Sequence, residues 1–192
     1  YAKSKAAATD MVFSAAQQGL NVSIVFPSGI IGPGDVLGGS FTSMAKSFLS
    51  GKLPFAVRGG YDFVDVRDVA KGILACAESG EPGKGYILSG HYITIRRMLQ
   101  IVRKAAKLIF RPICLPLKLA RLAAPYCERR CLREKKPLFF TPYSIAVLGS
   151  NGRFTHDAAT ERFAYRPRPI EETLRDMTAW LVSQKAKVGS AL

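Results

Sequence analysis

Leu20-Asn21-Val22-Ser23-Ile24-Val25-Phe26 runs directly into Pro27-Ser28-Gly29-Ile30-Ile31-Gly32-Pro33-Gly34-Asp35. The first run ends in three unbroken apolar residues, Ile24, Val25 and Phe26, the pattern of a β-strand covered on both faces. The second is punctuated by glycine and proline and reads as a loop at that strand's carboxyl end. Open α/β sheets bind their ligands at such ends. Gly29 lets backbone approach a ligand closely, and Pro27 fixes the turn out of the strand. Together the two runs predict an α/β fold with a ligand loop over residues 27–35.

Upstream lies an alanine-rich stretch that predicts a helix to about Gln18, with Ala6, Ala7, Met11, Val12, Ala15 and Ala16 as its inward stripe. Gly19 supplies the left-handed stop. The helix opens with Tyr1-Ala2-Lys3-Ser4-Lys5, which stacks Tyr1 and Lys5 on one face. A free tyrosine hydroxyl titrates near ~10, too high for proton transfer at neutrality. An ammonium beside it favours the phenolate and draws the pKa down. The pair is then able to exchange a proton with a carbonyl or alcohol oxygen. Tyr and Lys at this spacing are common, so the chemistry rests equally on the remainder of the chain.

Downstream comes Phe63-Val64-Asp65-Val66-Arg67-Asp68-Val69-Ala70. With this segment, the 27–35 loop and the Tyr1/Lys5 pair, the chain resembles the extended short-chain dehydrogenase/reductases, in their NAD-dependent epimerase/dehydratase branch. It looks closest to the dihydroflavonol-reductase-like members, and the resemblance runs to about Val182. It implies the last strands of a doubly wound, Rossmann-type parallel sheet with a mostly helical substrate lobe. It also implies NAD or NADP as cofactor, Tyr1 as general acid/base, and Lys5 lowering its pKa and bonding the nicotinamide ribose. Pro27, Ser28, Gly29 and Ile30 would lie against the nicotinamide. The family's glycine-rich nucleotide loop precedes the tyrosine, so this chain reads as the C-terminal part of a longer enzyme. On that basis residues 1–35 close the nucleotide-binding domain, and residues 36–192 form the substrate lobe, interleaved with a returning strand near 85–89.

Residues 40–50 predict a helix ending at Gly51, with Phe41 and Met44 either lining a substrate pocket or serving as plain core. Gly34 belongs to the loop against which the substrate would sit. Residues 61–66 read as a strand, and Asp68 as the N-cap of a helix to about Glu78. Arg67 is a substrate contact on one reading and the ion-pair partner of Asp65 on the other. Residues 85–90 predict a further strand, and Thr94 caps a helix over 95–107. Residues 108–136 loosen into proline-punctuated basic segments, among which 117–124 is amphipathic. Thr141-Pro142 opens a short helix, and the last helix spans 170–183 with Glu171 and Glu172 favourably at its start. Residues beyond Lys185 read as a frayed end.

The 192 residues carry a net charge of +14, and residues 96–136 hold thirteen Lys or Arg against two Glu. Such a field attracts anions, and peripheral association with an acidic membrane stands beside a merely solvated cationic face. No nucleic-acid partner is expected. Cys76, Cys114, Cys127 and Cys131 lack a disulfide framework or a C-x-x-C knuckle, which fits free thiols in the cytoplasm and no metal site. Three functions compete. The first is an oxidoreductase acting on a carbonyl or alcohol carbon of a small apolar substrate, of the dihydroflavonol-reductase or hydroxysteroid-dehydrogenase type. The second is a nucleotide-sugar epimerase or dehydratase, and the third a non-catalytic cationic binding module.

Overall fold

A computed structural model describes residues 2–53, 55–134, 141–149 and 152–189, with side chains to Gln184. Helix α1 (Ala2–Gln17) stops at Gly19, whose φ of 97° is the left-handed conformation expected there. Its stripe is not buried: no α1 residue is enclosed, and Met11 is 73% exposed. Strand β1 (Ile24–Pro27) starts later than the apolar run suggests and includes Pro27, so the proline ends a strand rather than making a turn. Nor is β1 covered on both faces, since Phe26 is exposed.

Among the described residues three small sheets are built from β1, β2 (Gly29–Ile31), β3 (Phe55–Val57), β4 (Gly60–Asp65), β5 (Gly85–Leu88), β6 (His91–Thr94) and β7 (Ile113–Leu115). Strands β1 and β5 pair in parallel, Ile24 opposite Gly85. Strand β4 is parallel to β2 and antiparallel to β6, and β3 is parallel to β7. Strands β3, β6 and β7 have only three or four residues, too short for a period-2 signal in the sequence.

The main core lies among α2 (Ser40–Leu49), α4 (Ile95–Ala105) and α8 (Ile170–Gly189), with Phe48, Met98, Leu99, Val102, Leu174 and Met177 enclosed. Each such side chain contributes about 1.5–3 kcal/mol by leaving water. Helix α4 forms because its buried residues recur at helical spacing and Thr94 Oγ1 accepts the Arg97 N–H. A second cluster places Val64, Tyr86 and Leu88 under α3 (Val66–Ser79) and α7 (Asp157–Phe163).

Three further expectations change, and the expected cap of α6 is met. Helix α3 is capped by Asp65, whose carboxylate accepts the Arg67 N–H, and Asp68 lies within the first turn instead. Residues 117–133 are not loose but form one helix, α5 (Leu117–Arg133), which continues through Pro125 and buries Ala120 and Ala124 against Val57 and Ile145. Helix α8 extends to Gly189, past the expected fraying point. Helix α6 (Pro142–Leu148) has its predicted cap, a reciprocal capping box between Thr141 and Ser144.

Candidate active site

The 27–35 segment is not a loop throughout: residues 29–31 form β2, which is held against β4. In the β2–β4 register Gly29 faces Phe63, and a side-chain carbon on Gly29 would lie 2.8 Å from Phe63 Cδ1 and 3.0 Å from the Asp62 carbonyl. Gly29 is therefore required first by the packing of β2 on β4. The Ser28 N–H donates to the Leu88 carbonyl at 3.2 Å, continuing the β1–β5 ladder. The Ser28 hydroxyl oxygen is buried with no hydrogen-bond partner among the described residues. Ile30, in β2, is 49% exposed.

After β2 the chain makes a loop around Gly34 (φ 91°) and Asp35. The Asp35 carboxylate accepts the Gly38 and Gly39 N–H groups at 2.9 and 2.7 Å. A hydrogen bond from the Thr42 side chain, with those two amides and Lys46, holds its pKa below the usual carboxylate value despite some burial. The loop is thereby pinned to the start of α2, and it carries Val36 and Leu37 exposed at its tip.

Beyond α2 lies a cavity of about 360 Å³ lined by Phe41 and Met44 of α2, Tyr61 and Phe63 of β4, and Tyr143, Val147 and Leu148 of α6, among others. Phe63 sits 5.7 Å from Phe41 and 6.0 Å from Tyr61, centroid to centroid. Burial raises the Tyr61 pKa, with the Asp62 charge acting the same way. Ser40, Thr141 and Ser144 are also in the lining, and no described lining residue carries a charge. This chamber suits a small, mainly apolar ligand.

Arg67 is committed elsewhere. Its guanidinium donates to Asp65 at 2.7 and 2.9 Å and pairs with Asp176 of α8 at 2.8 Å. Asp65 is fully enclosed, and Arg168 reaches it at 3.6 Å while holding Asp68 with two guanidinium nitrogens. Burial pushes the Asp65 pKa up, but the Arg67 side chain and amide outweigh it and leave the pKa lowered. The Asp68 hydrogen bond drives the Arg168 pKa up against a smaller effect of burial. This network ties α3, the 164–169 turn and α8 together.

Of the residues singled out in the sequence, Phe41 and Met44 share the cavity, and Gly29 abuts its wall through Phe63. Arg67 and Gly34 are not in its lining. Tyr1 lies outside the described residues, and Lys5 stands exposed on α1. Phe63, Tyr61 and the α6 residues were not anticipated as pocket walls. The Phe63-to-Ala70 segment offered Phe63 on an alternating strand, whereas nothing local marks Tyr143 or Leu148 as neighbours of Phe41.

Comparison with known proteins bears on family and fold. Residues 1–89 match the NAD dependent epimerase/dehydratase family. Sterol demethylase protein B of Methylococcus capsulatus is 28% identical over 183 residues, which is 94% of this chain and 56% of that protein. A Synechocystis protein provisionally named dihydroflavonol 4-reductase is 36% identical over 103 residues, 52% of this chain and 30% of its own. The chain thus spans about half the length, or less, of the curated relatives it matches. Among solved structures, gox2253 superimposes with a TM-score of 0.73 at 26% identity over 91% of this chain and 53% of its own. RMD from Pseudomonas aeruginosa, solved with NADPH, gives a TM-score of 0.64 at 20% identity, over 95% of this chain and 56% of its own. Residues 1–89 are thus similar to the NAD dependent epimerase/dehydratase family, and the chain as a whole shares its fold with solved structures such as gox2253.

Proposed function

We propose that this chain is the catalytic and substrate-binding part of a longer NAD(P)-dependent oxidoreductase that acts on a carbonyl or alcohol carbon of a small apolar substrate. The observation that carries this reading is the contact between the ligand loop and the apolar cavity, Gly29 against Phe63. A cofactor seated on the loop and a substrate in the cavity would share one wall. The loop fits a nicotinamide in one visible respect, the buried Ser28 hydroxyl that lacks a partner among the described residues. A buried hydroxyl left without a bond is costly, and a carboxamide would complete it. The residues proposed to hold the cofactor are Tyr1, Lys5, Pro27, Ser28, Gly29 and Ile30.

Bound there, the dinucleotide supplies or accepts the hydride. Tyr1 gives its proton to the substrate oxygen as the carbonyl is reduced, or takes it in the reverse direction. Lys5, one turn along α1, makes that transfer accessible at neutral pH by favouring the phenolate. Phe41, Met44 and Phe63 exclude water and select by shape and apolarity. A nucleotide-sugar substrate fits less well, because its diphosphate calls for cations and the described lining has none. Arg67, the cation that the sequence offers as a substrate contact, is spent on Asp65 and Asp176. A cytoplasmic location goes with this reading, supported by four cysteines that are all free thiols.

The test is turnover by the whole protein with NADH or NADPH against two substrate panels, apolar cyclic ketones and nucleoside-diphosphate sugars. Oxidation of the reduced cofactor with the ketones alone is expected. Turnover confined to the sugars would overturn the substrate assignment.

A further inference from the structure

Helix α5 buries one side and leaves the other unpartnered within the described residues. Ala120 and Ala124 face the core, while Leu119, Leu122 and Tyr126, at i, i+3 and i+7, are 56%, 80% and 69% exposed. At 3.6 residues per turn Lys118, Arg129 and Arg133 fall on this same outward side, and all three are exposed. Arg130 beside them is paired with Glu134 at 2.8 Å. Ile109 and Ile113, in the segment leading into α5, are also exposed. A cationic face that is merely solvated has no use for Leu and Tyr at its centre, since each exposed apolar group is disfavoured by water.

The structure assigns this face of α5 to the surface of an anionic bilayer: we propose that the chain binds acidic membrane peripherally, with Leu119, Leu122 and Tyr126 in the headgroup boundary and Lys118, Arg129 and Arg133 on lipid phosphates. The thirteen cations against two acids over residues 96–136 supply the complementary field. A 17-residue helix with an apolar strip flanked by Lys and Arg lies in an interface rather than across it. Among the described residues no helix is long and apolar enough to span a membrane. The inference stands independently of the substrate reading. It has a bearing on it nonetheless, because α6 packs on α5 and also walls the cavity with Tyr143, Val147 and Leu148. That places the chamber one element from the lipid.

The experiment is sedimentation of the full chain with vesicles of phosphatidylcholine alone or mixed with phosphatidylserine, at low and high salt. Retention on the mixed vesicles only, weakened by salt, is expected. Leu122→Ser/Tyr126→Ser keeps the charge and alters only exposed positions, so the fold should persist by circular dichroism while affinity falls about tenfold or more. Arg129→Gln/Arg133→Gln should weaken binding and flatten its salt dependence. Tyr126→Trp should show a blue-shifted emission on mixed vesicles. Equal retention on neutral vesicles, no retention on acidic ones, or unchanged binding of the Leu122→Ser/Tyr126→Ser variant would overturn the proposal. The last outcome, if the protein also bound a polyanion such as duplex DNA equally well, would leave a purely electrostatic face.

Discussion

A side-chain carbon at Gly29 would collide with the Phe63 ring at 2.8 Å, so the 27–35 segment packs directly on the cavity wall. Any residue larger than glycine must displace the Phe63 ring, which lines the cavity, or the Asp62 carbonyl.

Gly29→Ala is therefore expected to destabilise the chain by about 1–3 kcal/mol, the usual cost of overpacking. Urea unfolding of the variant measures it. Adding Phe63→Leu should recover a large part of the loss. A double variant no better than the single one would show that the contact is not the cause.

The Arg168–Asp68 pair makes the second prediction. Arg168 is 17% exposed in its side chain and Asp68 7%, with Asp65 fully enclosed beside them. Arg168→Met takes from the buried Asp68 carboxylate its guanidinium partner, for which the expected loss is about 3–5 kcal/mol. Chemical denaturation that finds less than about 1 kcal/mol, on the order of a surface pair, would contradict the network's role.

Asp65 also fixes a pH dependence. Its pKa in the fold lies below the ordinary 3.8, so ionised Asp65 stabilises the fold above that pH. The stability is lost as pH falls through the lowered folded value. The gap in stability between the protein and Asp65→Asn should be full at neutral pH and close only below about pH 4. A gap that closes between about pH 5 and 7 would assign it to another group.

Much of this architecture was legible because the signals were local. Thr94 and Thr141-Pro142 announce α4 and α6, and both caps are made as their residue types dictate. The cap of α3 was misplaced because Asp65 and Asp68 are equally good cap residues. What separates them is Arg168, a hundred positions away, which claims Asp68. Helix α5 was hidden by Pro116 and Pro125, of which the first precedes the helix and the second is absorbed within it. The cavity was half visible. Phe41 and Met44 lie on a helix with a clear period, but whether they face core or void depends on α6 and β4. The exposure of α1 and β1 could not be read either, since an apolar run states only what a segment prefers to bury.

Filling the cavity gives the fourth prediction. Met44→Trp should lower kcat/KM for an apolar ketone by roughly tenfold or more, while cofactor affinity stays within a few-fold. Equal losses for cofactor and substrate would place the effect on the fold instead.

The central claim is proton transfer by Tyr1 under the influence of Lys5. Steady-state turnover of the whole protein with Tyr1→Phe tests it most directly, alongside fluorescence titration of the reduced cofactor. A fall in kcat of roughly 10²-fold or more, with cofactor affinity nearly unchanged, is the predicted result. Turnover within a few-fold of the unaltered protein would contradict it.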